Sequence, residues 1–260
     1  MGACAGAPFR AGGGSVNVRR MDIHEALRRR ASVRAFRPDP VDDALLARVL
    51  ARALDAPSWA NTQPYRLAVA NGAAATALRS ALQAALASRV PGGDHNLLFD
   101  YPAELQARRR TTGFGLYAAL GIGRDDREAR GEQYARNFAF FDAPAAAFLF
   151  AHEALGVYSV LDAGVFLQSL MLAAVADGLG TCAQAALASY PDVVRRHFDV
   201  PDGYKLLCGV SIGYPAEAAV NRFRPARMGV GELLIPARRD ATDAAHPHDP
   251  VTSYATFTEA

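Results

Sequence analysis

The chain has few cysteines, and those it has are poorly spaced for joint chemistry. Cys4, Cys182 and Cys208 are an odd number with no C-x-x-C pattern. That excludes a disulfide framework and a cysteine-based zinc site, and it suits a reducing cytoplasm. The six histidines are dispersed and form no H-E-x-x-H metal motif. Charge of one sign is also missing. The formal net charge is only +2, and arginine is scattered apart from Arg28–Arg30 and Arg108–Arg110. A nucleic-acid-binding face would need a heavier basic excess, so no nucleic-acid partner is expected. The most apolar run, Ala163 to Ala176, is too short to span a bilayer and is interrupted by Gln168 and Ser169. No membrane association is expected from it. No phosphate loop of the G-x-x-x-x-G-K-[ST] type occurs, and no G-x-S-x-G nucleophile elbow.

What is present is an ordinary globular composition with room for a substantial core. Residues 1–20 are rich in glycine and alanine, lack an apolar signal region, and read as a disordered extension. Met21, just before the first convincing helix, is an alternative start. Asp22 is placed to cap a short helix through about Arg30, and Asp42 a second from Ala44 to about Asp55. Leu45, Leu46, Val49, Leu50 and Leu54 give that second helix its apolar stripe. Tyr65–Ala70 reads as a strand ending at the Asn71-Gly72 turn, and Ala73–Ser88 as a helix.

The polar middle of the chain predicts helices near Ala103–Arg110, Phe114–Leu120 and Arg127–Phe138. Ala145–Ala151 predicts a buried strand. Val157–Asp177 predicts the longest helix, apolar on nearly every face and so buried all round, in a core or a subunit interface. Gly178 and Gly180 terminate it. Pro191–Phe198 reads as a short helix and Lys205–Tyr214 as β-rich. After Pro215 the chain reads as loop, with one apolar piece at Leu233–Ile235. Residues 236–260 read as an extended arm or disordered tail. Few strands among many helices imply α+β or α/β with a small central sheet. Two G-x-G-x-x-A matches, at Gly113 and Gly178, lack the strand-to-helix setting of a dinucleotide fingerprint and are rejected.

Four separated segments carry the functional information jointly. They are Arg29-Arg30-Ala31-Ser32-Val33-Arg34-Ala35-Phe36 and Ala56-Pro57-Ser58-Trp59-Ala60-Asn61-Thr62-Gln63-Pro64-Tyr65. The third is the long helix ending in Gly178-Leu179-Gly180-Thr181-Cys182, then Ala183-Gln184-Ala185-Ala186. The fourth is Ile212-Gly213-Tyr214-Pro215 with Asn221 and Arg227. Taken singly, each has a plainer reading: a solvated helix end, a helix stop, a core tryptophan, an inert buried thiol at Cys182. Together, over roughly residues 21–235 and in the same order, they resemble the nitroreductase family.

The resemblance implies a nitroreductase-like α+β fold, with a small mixed or antiparallel sheet surrounded by helices, in an intertwined homodimer. It implies FMN as cofactor and NAD(P)H as donor, with hydride passing through flavin N5 to a nitroaromatic, quinone or similar acceptor in a ping-pong reaction. It assigns Arg30, Ser32 and Arg227 to the phosphate and Arg34 to the pyrimidine edge of the ring. The family often has a second late basic residue, where this chain has Pro225, so Arg224 is its candidate substitute. Pro57, Ser58, Trp59, Asn61 and Gln63 match the segment that a second subunit lays over the flavin. Gln184, Ala185 and Ala186 match backbone donors near N5 and O4. No protein side chain is expected to act as acid or base, since the flavin carries the chemistry. The longer stretch of about 94–141 is expected to act as a lid that selects the acceptor. Two rival readings stay open: a flavin-consuming or dehalogenating relative, and a non-catalytic flavin-binding protein.

Overall fold

The computed structural model describes residues 21–97 and 99–236. The extension expected over 1–20 and the arm expected beyond 236 lie outside the described residues. Helix α1 (Ile23–Arg29) starts where Asp22 accepts a hydrogen bond from Glu25 N at 2.8 Å. Helix α2 (Asp43–Ala53) starts where Asp42 Oδ1 accepts from Ala44 N at 2.7 Å and from Leu45 N at 3.3 Å. Each acidic cap satisfies otherwise orphaned N–H groups and sits at the positive end of the helix dipole.

Four strands form the sheet: β1 (Tyr65–Asn71), β2 (Ala145–His152), β3 (Gly180–Gln184) and β4 (Tyr204–Gly213). Their order is β1-β2-β4-β3, every pair antiparallel. Strand β2 is central and apolar along almost its whole length, as a strand covered on both faces must be. Its side chains alternate between two cores. Ala146, Phe148 and Phe150 join Leu78, Leu82 and Leu206 on one face. Ala145, Ala147 and Leu149 join Leu46, Val49, Phe166 and Leu170 on the other. The first face is covered by α3 (Ala73–Ser88) with α7 (Pro191–Arg195), the second by α2 and the long α6 (Val157–Ala176). Each large side chain moved from water to these cores contributes about 1.5–3 kcal/mol. The architecture is α+β.

Several sequence expectations need correction. The two helices expected at Ala103–Arg110 and Phe114–Leu120 are one continuous helix, α4 (Ala103–Ala119). Gly113 and Gly115 do not break it. At Gly115 the reason for glycine is packing, because a Cβ there would lie 2.8 Å from Phe223 Cε2. Helix α5 (Arg127–Ala135) stops short of Phe138. The strand β3 was not anticipated, since its five residues, rich in small side chains, carry little hydrophobic alternation. The segment after Pro215 contains two single turns, α8 (Ala219–Arg222) and α9 (Val230–Leu233).

Within one protomer helix α6 is buried on one side only, so burial of the other side, as expected from its sequence, would need a subunit interface. Val157, Tyr158, Val160 and Leu161 are exposed at its start, while Ala163, Phe166, Leu170 and Ala174 are buried. By length and composition α6 could cross a membrane, but here it packs on α2 and β2 as a sheet-covering helix.

Gly180, at the start of β3, sits where three segments meet. A Cβ there would lie 2.7 Å from Val33 Cγ2 and 2.8 Å from Pro215 Cγ. Gly180→Ala is therefore expected to destabilise the fold by about 1–3 kcal/mol, as overpacking does. The measurement is the urea midpoint at unchanged slope; an unmoved midpoint would mean that Val33 and Pro215 yield freely.

Candidate cofactor site

The chain leaves α1 at Arg30 and runs extended along the sheet edge. Val33 N donates to Thr181 O at 2.9 Å, and Arg37 N to Tyr214 O at 2.9 Å. Ala216 N donates back to Ala35 O at 3.0 Å. Asn221 then clamps the same segment from the far end of the sequence. Its Oδ1 accepts from Arg34 N at 2.8 Å and Ala35 N at 3.2 Å, and its Nδ2 donates to Ala35 O at 2.7 Å and Ala216 O at 2.8 Å. Residues 187 positions apart are thus held in one local structure.

This clamp brings the basic residues together. Arg30, Ser32, Arg34, Arg224 and Arg227 line one cleft of about 350 Å³, joined by Arg28. Thr112 and Leu116 of α4 close one side. No carboxylate lines the cleft. Among the described residues Arg34, Arg224 and Arg227 donate only to backbone carbonyls: to Ser32 O, to Asn221 O and Phe223 O, and to Pro225 O and Ala226 O respectively. Among the described residues none of these arginines has an ion-pair partner. Burial, then the charges of Arg227 and Arg224, lower the pKa of Arg30. Crowded guanidinium groups with no counter-charge define a site for an anion with several acceptor oxygens.

The Pro57–Gln63 segment does not line this cleft in the protomer. It forms a tight, exposed loop with left-handed backbone at Ala60 (φ 48°), Asn61 (φ 56°) and Gln63 (φ 47°). None of these is glycine, and each such residue costs on the order of 1–3 kcal/mol unless its surroundings impose it. The surroundings do. Ser58 Oγ accepts from Gln63 N at 3.0 Å, and Thr62 Oγ1 donates to Trp59 O at 2.9 Å. Gln63 Nε2 donates to Asn61 Oδ1 at 3.0 Å. Trp59 stacks on Tyr158 of α6, with ring centroids 5.3 Å apart, and its N–H reaches Asp162. Pro57, Trp59, Asn61 and Gln63 are exposed and Ser58 is half-buried.

The third segment also lies outside the cleft lining. Gln184 ends β3 with its side chain buried and fully engaged. Its Nε2 donates to Asn137 O at 2.9 Å, and its Oε1 accepts a short bond from Ser211 Oγ. Only its main chain is left to offer a ligand. Ala185 is exposed and Ala186 half-buried, in a single turn after β3.

Cys182 is inert by environment: burial, partly opposed by Arg34, pushes its thiol up to about 11. Burial alone pushes Cys208 up to about 12. Both are free thiols.

Sequence reasoning missed Arg28, Thr112 and Phe223 in the cleft, and Asp162 beneath the loop. Arg28 stands in the same arginine run as Arg30, whereas nothing local marks Thr112 and Phe223, which are brought in by packing. Asp162 did leave a signal, as the one charged residue inside an otherwise uncharged helix of 20 residues.

Residues 27–214 match the model of the nitroreductase family. Nitroreductase NfnB of Mycolicibacterium smegmatis is 38% identical over 224 residues, covering 82% of this chain and 93% of that protein. A 4-nitrobenzoate reductase of Pseudomonas putida is 34% identical, covering 81% and 93%. The crystal structure of FMN-dependent NfnB from Mycobacterium smegmatis with NADPH superposes with a TM-score of 0.78 over 84% of this chain and all (100%) of that one, at 38% identity. An FMN- and NADPH-dependent NfnB from Sphigopyxis sp. strain HMH gives 0.80 at 36% identity, over 84% of this chain and 100% of its own. With its residues 27–214 matching the family's model and a nitroreductase 38% identical over 82% of its length, the protein belongs to the nitroreductase family.

Proposed function

We propose that the protein binds FMN and uses NAD(P)H to reduce a nitroaromatic, quinone or similar electrophilic acceptor. The observation that carries this reading is the cleft where Arg30, Arg34, Arg224 and Arg227 converge with Ser32 and no acidic side chain. A phosphate dianion answers that arrangement of fixed donors. The solved relatives, one FMN-dependent with NADPH bound and one FMN- and NADPH-dependent, support the same cofactor and donor. FMN, when bound, supplies the hydride chemistry between donor and acceptor.

The chain's own residues bind and orient. Arg30, Ser32 and Arg227 hold the phosphate, and Arg224 takes the place left by Pro225. Arg34 lies toward the pyrimidine edge, where a cation favours the reduced ring's negative charge. The main chain at Gln184, Ala185 and Ala186 would offer hydrogen-bond donors to the N5 and O4 edge of the flavin, and the small side chains of Ala185 and Ala186 would allow close approach. Pro57, Ser58, Trp59, Asn61 and Gln63 cover the flavin bound by a partner subunit. The enzyme works in the cytoplasm, where its thiols stay reduced; recovery of the activity in a membrane or periplasmic fraction would count against this.

Two copies are needed for that arrangement. The apolar row Val157, Tyr158, Val160 and Leu161 on α6, exposed in the protomer, supports a homodimer. It lies beside the loop that would reach across, since Tyr158 stacks on Trp59. The lid reading falls on α4 and α5. No residue of α4 is buried, and Arg110 on its exposed side is available to a carboxylate-bearing acceptor.

Three outcomes are expected. Arg30→Gln weakens FMN binding by about 10- to 100-fold, as loss of a charged hydrogen bond of about 1.5–3 kcal/mol requires. Flavin-fluorescence titration measures it, and an unchanged affinity removes the phosphate assignment. Leu161→Glu converts the dimer to monomers in sedimentation velocity and releases the flavin, whereas an intact yellow dimer rejects α6 as the interface. Arg110→Ala raises KM for 4-nitrobenzoate about fivefold or more, on the order of one lost exposed ionic contact, and leaves nitrobenzene unaffected. Equal effects on both acceptors would sink the selection role.

A further inference from the structure

A carboxylate lies buried beneath the Trp59 loop. Asp162 of α6 is 4% exposed, and both its oxygens stand 3.1 Å from Trp59 N. Its helix neighbours on the same face are Ser159 and Phe166, three and four positions away. Phe166 stacks on Tyr65, the first residue of β1 after the loop, with centroids 4.6 Å apart. The Tyr65 hydroxyl and Ser159 Oγ are both buried and have no protein partner. Burial, and then the charge of Asp162, raise the Tyr65 hydroxyl pKa. A carboxylate is thus held in the apolar seam between α6, β1 and the loop, with one backbone N–H, that of Trp59, as its hydrogen-bond donor among the described residues.

Stability alone gives no reason for that choice. A buried carboxylate is costly to desolvate, and an aliphatic side chain would pack the seam better. What an aliphatic side chain lacks is a directional, charge-assisted acceptor. The one that Asp162 provides is aimed at Trp59 N, the first N–H of the turn that contains the left-handed Ala60 and Asn61. A loop with such backbone keeps one shape only while its surroundings over-determine it. The carboxylate anchors the start of the loop from below, Tyr158 packs against the indole from the side, and Ser58 Oγ closes it from within.

We propose that Asp162 is a positioning residue for the flavin site, fixing through Trp59 N the loop that covers the cofactor of the partner subunit. This rests on the functional reading above for the flavin, but not for the loop. Asp162 touches neither cofactor nor acceptor; it acts through the main chain of Trp59.

Trp59 is the only tryptophan in the chain, so its emission reports this loop alone. The experiment measures Trp59 fluorescence anisotropy in the full-length, flavin-stripped protein and FMN affinity by titration, for wild type, Asp162→Ala and Asp162→Asn. Alanine suits a helix and keeps α6 intact. Asp162→Ala should lower the steady-state anisotropy by a fifth or more and weaken FMN binding at least tenfold. Asp162→Asn keeps one acceptor oxygen and should recover most of both.

Wild-type anisotropy in folded Asp162→Ala overturns the anchoring. Lowered anisotropy with FMN affinity within twofold of wild type overturns the link to the flavin. Should Asp162→Ala not fold, Asp162→Leu, which fills the seam but offers no acceptor, takes its place: lowered anisotropy with FMN binding weakened tenfold or more supports the proposal, and a wild-type value of either rejects it. If the wild-type protein itself binds no FMN, the functional reading and the flavin part of this proposal fall together. The anisotropy comparison still scores the hold of Asp162 on the loop.

Discussion

Asn221 uses its whole hydrogen-bonding capacity, two bonds accepted and two donated, to tie residues 34–35 to residue 216. Remove that tie and the arginines of the cleft belong to unrelated stretches of chain. One group sits at the end of α1 and the other beyond the last strand, and like charges have every reason to part. The sheet edge gives the tie something rigid to act on. Strand β3 pairs with β4 on one side and with the Ser32–Val33 backbone on the other. Ladder hydrogen bonds therefore hold together guanidinium groups that repel each other. An anion in the cleft turns that repulsion into attraction, so ligand binding and folding reinforce each other here.

The loop around Trp59 follows the same logic by other means. It has no regular structure to lean on, so side chains impose its shape: a serine within, a tyrosine beside, an aspartate below. The arginine cleft and the Trp59 loop therefore both rely on polar groups placed against an apolar frame. The frame itself is simple. Strand β2 alternates its side chains between two cores, and helices close each face.

Much of this was legible before any coordinates. Asp22 and Asp42 announce their helices, the Asn71-Gly72 pair ends β1, and the apolar runs at 145–151 and 205–214 are strands. The arginine-rich segment and Arg227 do meet, as the motif order implied. The errors have physical causes. The gap left between Arg110 and Phe114 is helical in α4, and Gly115 makes room for Phe223, a contact that no local window contains. Strand β3 is short and small-sided, so it shows neither of the usual periodicities. The apolar start of α6, exposed in the protomer, leaves the two alternatives of core and subunit interface as the sequence had them. The pairing of Asp162 with Trp59 N was invisible because it joins residues 103 positions apart.

Helix α4 extends 17 residues without burying one of them. It is held by Arg108, which pairs with Glu104 in its own turn and with Glu232 of α9, and by Phe223 against Gly115. A segment attached so lightly can drift in sequence while the two cores keep their integrity. Changes on the outward side of α4 therefore leave both cores untouched, while Thr112, Gly115 and Leu116 on its inward side stay bound to the cleft and to Phe223.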